Sequence, residues 1–292
     1  MTDRSVNLRA FYAQFVTAVG GARHSRIERA FSEVPREPFA GPGPWSVLAI
    51  GPWPLQSGER PAYVQTPGDD PAFLYQDTLV ALDAERGINI GQPSLHARCL
   101  DRLAPKEGNM VLHVGAGAGY YTALLAELVG GTGRVHAYEI DPELATRAAR
   151  NLAYLPHVEL HARSGIGEGL PQADRIYVNA GVGQSSWSWL EALRPGGRLL
   201  FPLQPTWRVG GMLLVKRPAV GTAWPARFVA RATFIQCEGI PHDEKLDRLL
   251  AVAFASPNVE AVRSLRLAGE PDETCWIAGD GWWLSTAASD GT

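Results

Sequence analysis

Apolar residues recur at helical spacing from Leu8 to Val19 and from Ile27 to Val34, which predicts two short helices near the start of the chain. Between Pro35 and Pro71 the sequence is dense in Pro and Gly, which break regular elements, and it carries Trp45 and Trp53. This reads as an irregular segment pinned by aromatic packing. From Met110 onward short apolar runs alternate with amphipathic stretches. Strands are predicted at "MVLHVG" (Met110 to Gly115), "RVHAYE" (Arg134 to Glu139), "HVELHA" (His157 to Ala162), "DRIYVN" (Asp174 to Asn179) and "GRLLFP" (Gly197 to Pro202). Helices are predicted between them at Tyr120 to Val129, Pro142 to Leu152 and Trp187 to Leu193. Alternation with short gaps implies a parallel sheet covered by helices on both faces, an α/β fold. Two more strands, near "GGMLLVKR" and "ARFVARATFIQC", are expected to finish the sheet as a hairpin. After Gly239 the rhythm changes, and "HDEKLDRLLAVAFA" reads as an amphipathic helix. The expected organisation is an N-terminal helical and irregular segment (1–87), a strand–helix domain (88–239) and a small C-terminal addition (240–292).

The first predicted strand runs into "GAGAG", with Gly115, Gly117 and Gly119 at alternate positions. Glycine there lets the chain turn tightly and lets a ligand touch the main chain, while the following helix offers its N-terminal N–H groups. Glu139 ends the second strand of this run, about 20 residues on, where a carboxylate can accept hydrogen bonds from ribose hydroxyls. Asp141 is instead the expected cap of the helix opening at Pro142. Loop, acid and alternating strands together point to an adenosyl ligand. A nicotinamide dinucleotide fits less well. Its fingerprint is GxGxxG, and the third glycine would be residue 120, which is Tyr120.

Composition narrows the partners. Of 292 residues 46% are hydrophobic, enough for a sizeable core, and a formal net charge of −3 gives no basic field for nucleic acid. No run of about 18 apolar residues suggests a membrane span, and the opening residues lack the apolar stretch of a secretory leader. Cys99, Cys237 and Cys275 are odd in number and widely spaced, so neither a disulfide framework nor a metal site is expected, and the cytoplasm is the expected compartment. His113 and His136 alternate into the sheet and read as structural. Trp45, Trp53, Trp207, Trp282 and Trp283 read mostly as packing, with one or two free to wall an acceptor pocket.

"VLHVGAGAGYYTALLAELVGGTGRVHAYEIDPEL" resembles the first motif and following acidic strand of class I S-adenosylmethionine-dependent methyltransferases, and "LRPGGRLLFPL" (Leu193 to Leu203) resembles their later turn into the fifth strand. Within that class, "RIERAFSEVPREPF" (Arg26 to Phe39) and "YQD" (Tyr75 to Asp77) are similar to the protein-L-isoaspartate O-methyltransferase branch. The resemblance implies a Rossmann-like fold with a mostly parallel seven-stranded sheet, S-adenosyl-L-methionine as cofactor, and a carboxylate acceptor on a protein, a peptide or a small acid. It leaves the oligomeric state open. The donor contacts it implies are Gly115, Ala116, Gly117, Gly119 and Tyr120 of the loop, Glu139 with Ile140, then Ser164, Gly165 and Asn179. The chain also departs from the branch. The branch's Thr-Ile-Ser-Ala-Pro-His-Met-His-Ala stretch is here "NIGQPSLHA" (Asn89 to Ala97), so its catalytic serine is Gly91. Ser164-Gly165 stands where the branch has Asp-Gly, and Asn179-Ala180-Gly181 where it tends to have Gly-Ala-Ala. Gln92, Ser94, His96 and Asn179 are therefore the candidate catalytic groups. A carboxylate is already a nucleophile and the sulfonium methyl is already electrophilic, so positioning is the main task. The altered segment also leaves open a different acceptor, or a donor-binding module without turnover.

Overall fold

In the computed structural model the described residues are 3–48, 63–206 and 208–289; Trp53 and Trp207 lie outside them. In chain order the elements are α1 (Asp3–Gly20), α2 (Ser25–Glu33), α3 (Glu37–Ala40), β1 (Ser46–Leu48), β2 (Tyr63–Gln65), β3 (Ala81–Asp83), β4 (Ile88–Asn89), α4 (Pro93–Leu103), β5 (Met110–Val114), α5 (Tyr120–Val129), β6 (Arg134–Tyr138), α6 (Pro142–Leu152), β7 (Val158–His161), β8 (Ala173–Val178), α7 (Trp187–Ala192), β9 (Leu193–Leu203), β10 (Gly210–Lys216), β11 (Ala223–Ala232), α8 (Glu244–Ala255), β12 (Ser264–Arg266), β13 (Cys275–Gly279) and β14 (Trp282–Ser285). No helix among the described residues is long and apolar enough to cross a membrane. The chain forms two compact units: Met1–Asn109 with Gly115–Arg163, and Met110–Val114 with Ser164–Thr292.

The first unit is mainly helical. Every residue of α5 except Glu127 is buried, as expected of a helix apolar on all sides. The rings of Tyr12, Phe31, Phe39 and Tyr120 meet edge-on or tilted in the same core. Two features are clear in the sequence: α6 starts with Pro142 in its first turn, and Asp141 accepts from the backbone N–H groups of Glu143 and Leu144. One is not: α4 begins at Pro93, within the stretch expected only to carry catalytic groups. In the Pro/Gly-rich segment Trp45 is buried, and its indole N–H donates to the Gly41 carbonyl at 2.8 Å, so this tryptophan does pin the chain.

In the second unit the strands follow the order β13-β14-β12-β11-β10-β9-β8-β5. This run alone exceeds the expected seven strands, because β12, β13 and β14 of the C-terminal addition extend it. β5 pairs with β8 and β8 with β9 in parallel, whereas every pairing from β9 through β13 is antiparallel. The short link from β9 to β10 leaves no room for a crossover, so the hairpin expected of β10 and β11 forms and the direction alternates from there. β9 also starts at Leu193, four residues earlier than predicted.

Candidate functional site

Gly115, Gly117 and Gly119 all adopt positive φ (78°, 57° and 98°), which side chains disfavour. The loop is tied to β6 by backbone bonds: the N–H groups of Gly115 and Ala116 both donate to the Tyr138 carbonyl, at 3.0 and 3.1 Å. The next residue, Glu139, completes the tie with its side chain. One carboxylate oxygen accepts the Gly117 N–H at 2.6 Å and the other accepts the Asp141 N–H at 3.0 Å. Glu139 is buried, and burial pushes its carboxyl above the ordinary value against the pull of those two N–H groups. Each oxygen can accept more than one hydrogen bond, so both retain capacity for a pair of neighbouring hydroxyls. Ile140 is exposed beside it, an apolar surface adjoining the acid. The Tyr120 ring is fully buried and its hydroxyl lies 3.4 Å from that of Tyr12, so this residue faces the loop with its backbone.

The segment Asn89 to Ala97 makes a tight turn into α4 in the same unit. Gly91 has φ 89°, its N–H donates to Asn89 Oδ1 at 2.8 Å, and its carbonyl accepts the Tyr121 hydroxyl at 3.4 Å. A Cβ at position 91 would lie 2.3 Å from Nε2 of His96. The imidazole thus fills the space that a side chain at 91 would take. His96 is buried and lies flat on the Tyr121 ring, with centroids 3.5 Å apart and planes within 12°. Asp77 holds the turn in place: its carboxylate accepts the Ser94 N–H at 2.8 Å and the Gln92 side-chain amide at 3.3 Å. It thereby serves the first turn of α4, where backbone N–H groups lack helical partners. Gln92 is exposed and committed to this contact, while Ser94 is buried. Asp77 is itself carried by a segment that Arg36 organises. The Arg36 guanidinium is fully buried and donates to the carbonyls of Leu74 (2.6 Å), Gln76 (3.2 Å) and Thr78 (3.1 Å). It also lies over the rings of Tyr12 and Tyr120. Tyr121, Asp77 and Arg36 were not among the candidate site residues. The "YQD" and "VPR" resemblances did mark Asp77 and Arg36, but nothing in the sequence marks Tyr121 apart from its neighbour Tyr120.

The second unit holds the remaining candidates. Asn179 follows β8, and its side-chain amide meets His113 of β5, Nδ2 to Nε2, at 2.8 Å. An amide NH2 only donates, so Nε2 accepts. Burial drives the His113 pKa down to about 3, consistent with a neutral ring, as expected of a structural histidine. Asn179 Oδ1 is buried with no hydrogen-bond partner in the described structure. Ser164 Oγ accepts the Ile166 N–H at 3.2 Å in a local turn, and the Gly165 carbonyl accepts the Trp189 indole N–H at 2.8 Å. Past Asn179, a cavity of about 270 Å³ is lined by Gly181, Gln184, Thr206, Cys237, His242 and Asp247, among others. Trp282 and Trp283 are buried, so in this unit they pack.

Residues 54–224 match the model of the protein-L-isoaspartate(D-aspartate) O-methyltransferase family. A protein-L-isoaspartate O-methyltransferase of Methanopyrus kandleri is 35% identical over 191 residues, covering 64% of this chain and 72% of that protein. Protein-L-isoaspartate O-methyltransferase 2 of an Anaeromyxobacter species is 32% identical over 220 residues, covering 73% and 78%. Among solved structures, a protein-L-isoaspartate O-methyltransferase aligns with TM-score 0.60 and 24% identity over 85% of this chain and 69% of that one. A Plasmodium falciparum protein of the same description, in complex with S-adenosyl-L-homocysteine, aligns with TM-score 0.60 and 17% identity over 80% and 99%. At these identities the two structures establish the likeness of fold.

Proposed function

We propose how this chain, which belongs to the protein-L-isoaspartate(D-aspartate) O-methyltransferase family, performs its reaction: S-adenosylmethionine-dependent O-methylation of a carboxylate on a protein or peptide, with isoaspartyl residues the first acceptors to test. The observation that carries the reading is the Glu139 carboxylate, buried, bonded to the Gly117 N–H and still able to accept from a ribose diol. S-adenosylmethionine supplies an electrophilic methyl group on a sulfonium. The chain's own task is to hold donor and acceptor in line and to keep water out. Gly115, Ala116, Gly117, Gly119 and the Tyr120 N–H present bare backbone to the donor. Glu139 accepts from its ribose, and Ile140 offers an apolar face to the adenine. Ser164 and Gly165 serve the adenine end in the same reading.

On the acceptor side, His96 takes over the place of the absent serine hydroxyl. Gly91 carries no side chain, and His96 Nε2 stands where one would begin. A ring N–H donated from there orients a carboxylate without removing a proton from it. Asn179 Oδ1, buried and unpartnered, can only accept, so its part would be to receive an N–H of the acceptor peptide rather than to hold the carboxylate. Gln92 and Ser94 act indirectly, through Asp77, by fixing the turn. We assign the protein to the cytoplasm from its few, widely spaced cysteines.

The test has two parts. Calorimetric titration with S-adenosylhomocysteine should give one saturable site, and incubation with an isoaspartyl peptide and labelled donor should give a base-labile methyl ester. Absence of donor binding removes the whole reading. Donor binding without isoaspartyl turnover removes that acceptor and directs the search to other carboxylates.

A further inference from the structure

The parallel pair β6–β7 places His136 opposite Glu159 and Tyr138 opposite His161. Side chains two residues apart on a strand share a face, so residues 136 and 138 of one strand meet 159 and 161 of the other on one side. His136 Nδ1 is 3.1 Å from His161 Nε2 and 3.5 Å from Glu159 Oε2, and His161 Nε2 is 3.6 Å from Glu159 Oε1. One ligand atom from each residue falls within 4.8 Å of the other two. These spacings have a chemical meaning. An ion held tetrahedrally at about 2.0–2.2 Å from nitrogen and oxygen keeps its ligand atoms about 3.3–3.6 Å apart. The two imidazole nitrogens are already close to that spacing, and each stands at such a distance from one oxygen of Glu159, His136 from Oε2 and His161 from Oε1.

We propose that His136, Glu159 and His161 form a binding site for a zinc-class divalent transition metal. Two imidazoles and one carboxylate suit zinc, cobalt and nickel, whereas calcium and magnesium favour all-oxygen sets. Both imidazoles are partly buried, so little ring motion is open to them. The Glu159 carboxylate would offset part of the ion's charge. The rings are also held. His136 and His161 stack with centroids 5.4 Å apart, and His161 lies on the Tyr138 ring at 4.6 Å. With both rings neutral, one N–H donates across the 3.1 Å gap. On coordination that proton moves to the other nitrogen of its own ring, which frees both lone pairs. Glu159 is well exposed, so a fourth position remains open to water or a small anion.

The test uses the full chain, stripped of metal and with its cysteine thiols alkylated. Co²⁺ is followed by its visible ligand-field bands and Zn²⁺ by competition with a chromophoric chelator. One equivalent of each should bind, with the bands of a four- or five-coordinate ion lacking sulfur ligands. His136→Ala and His161→Ala should each weaken binding by more than about tenfold, whereas His242→Ala, outside the cluster, should leave it unchanged. Because a strand variant can misfold, ring ¹H–¹⁵N spectra of the unmodified sequence give a second readout, in which Zn²⁺ should shift His136 and His161 alone. Failure to bind one equivalent, affinity indifferent to both variants, or shifts at other histidines would overturn the proposal.

Discussion

Replacing Glu139 by Gln keeps the volume and removes the charge. The carboxylate now accepts two backbone N–H groups, one on each oxygen. A Gln carbonyl can keep one of them, but its NH2 end must then face the other N–H, donor against donor. The ribose in turn loses a charged acceptor. A hydrogen bond to a charged group contributes about 1.5–3 kcal/mol, so donor affinity should fall about 10- to 150-fold. Stability should change less. Burial raises the carboxyl pKa of Glu139 in the folded chain. A group raised in this way contributes stability below its unfolded pKa, and that contribution is lost as pH rises through its folded value. Near neutrality Gln therefore relieves a buried charge while it breaks one backbone bond, and the two effects oppose each other. The same shift gives a pH signature: affinity for S-adenosylhomocysteine should decline on acidification with a midpoint above the ordinary carboxylate range, and this titration should vanish in Glu139→Gln. Calorimetry across pH on both proteins, with a thermal melt to confirm folding, measures each term. Equal affinity within about threefold, or the same pH midpoint in the variant, would refute the assignment of this acid to the ribose.

Gly91→Ser, which would restore the branch's usual residue, should destabilise the chain by about 1–3 kcal/mol, because it combines positive φ with a collision at His96; urea denaturation measures this, and adding His96→Ala should recover part of it. His96→Ala alone should lower kcat/KM for the methyl acceptor by about 10- to 100-fold while leaving S-adenosylhomocysteine affinity within about threefold. Asn179→Ala should raise KM for the acceptor by about tenfold, and an unchanged KM would remove Asn179 from the acceptor site. Asp77→Asn should slow turnover without altering donor affinity, as it loosens the turn at Gln92 and Ser94, and hydrogen exchange at the Ser94 amide should quicken.

The parts of the fold legible in the sequence are those whose instructions are local. α5 and α6 run over the predicted residues, and Asp141 caps α6 from within the helix's own sequence. The donor loop and Glu139 are legible for the same reason, since a glycine pattern and one acid at a set distance define them. Missed features depend on distant partners. α4 is served at its start by Asp77, 17 residues upstream of Ser94, and this partnership leaves no local trace. The position of His96 depends on contact with Tyr121, and the His136–Glu159–His161 triangle depends on strand register. The sheet runs past seven strands because the short strands of the Trp-rich tail look like turn-broken coil until β12 pairs with β11 and β14 and β13 add on beyond it.

Arg36 gives the "VPR" signature a physical meaning. A single cation serves three carbonyls of one strand-free stretch, so that stretch has no ladder or helix of its own to fall back on. Lysine would bring a point charge with a different reach, and a neutral residue would leave at least the buried Leu74 carbonyl unanswered. Turnover should thus be sensitive to a residue that touches neither methyl nor acceptor: slackening at position 36 would travel by way of Asp77 to the groups that aim the carboxylate.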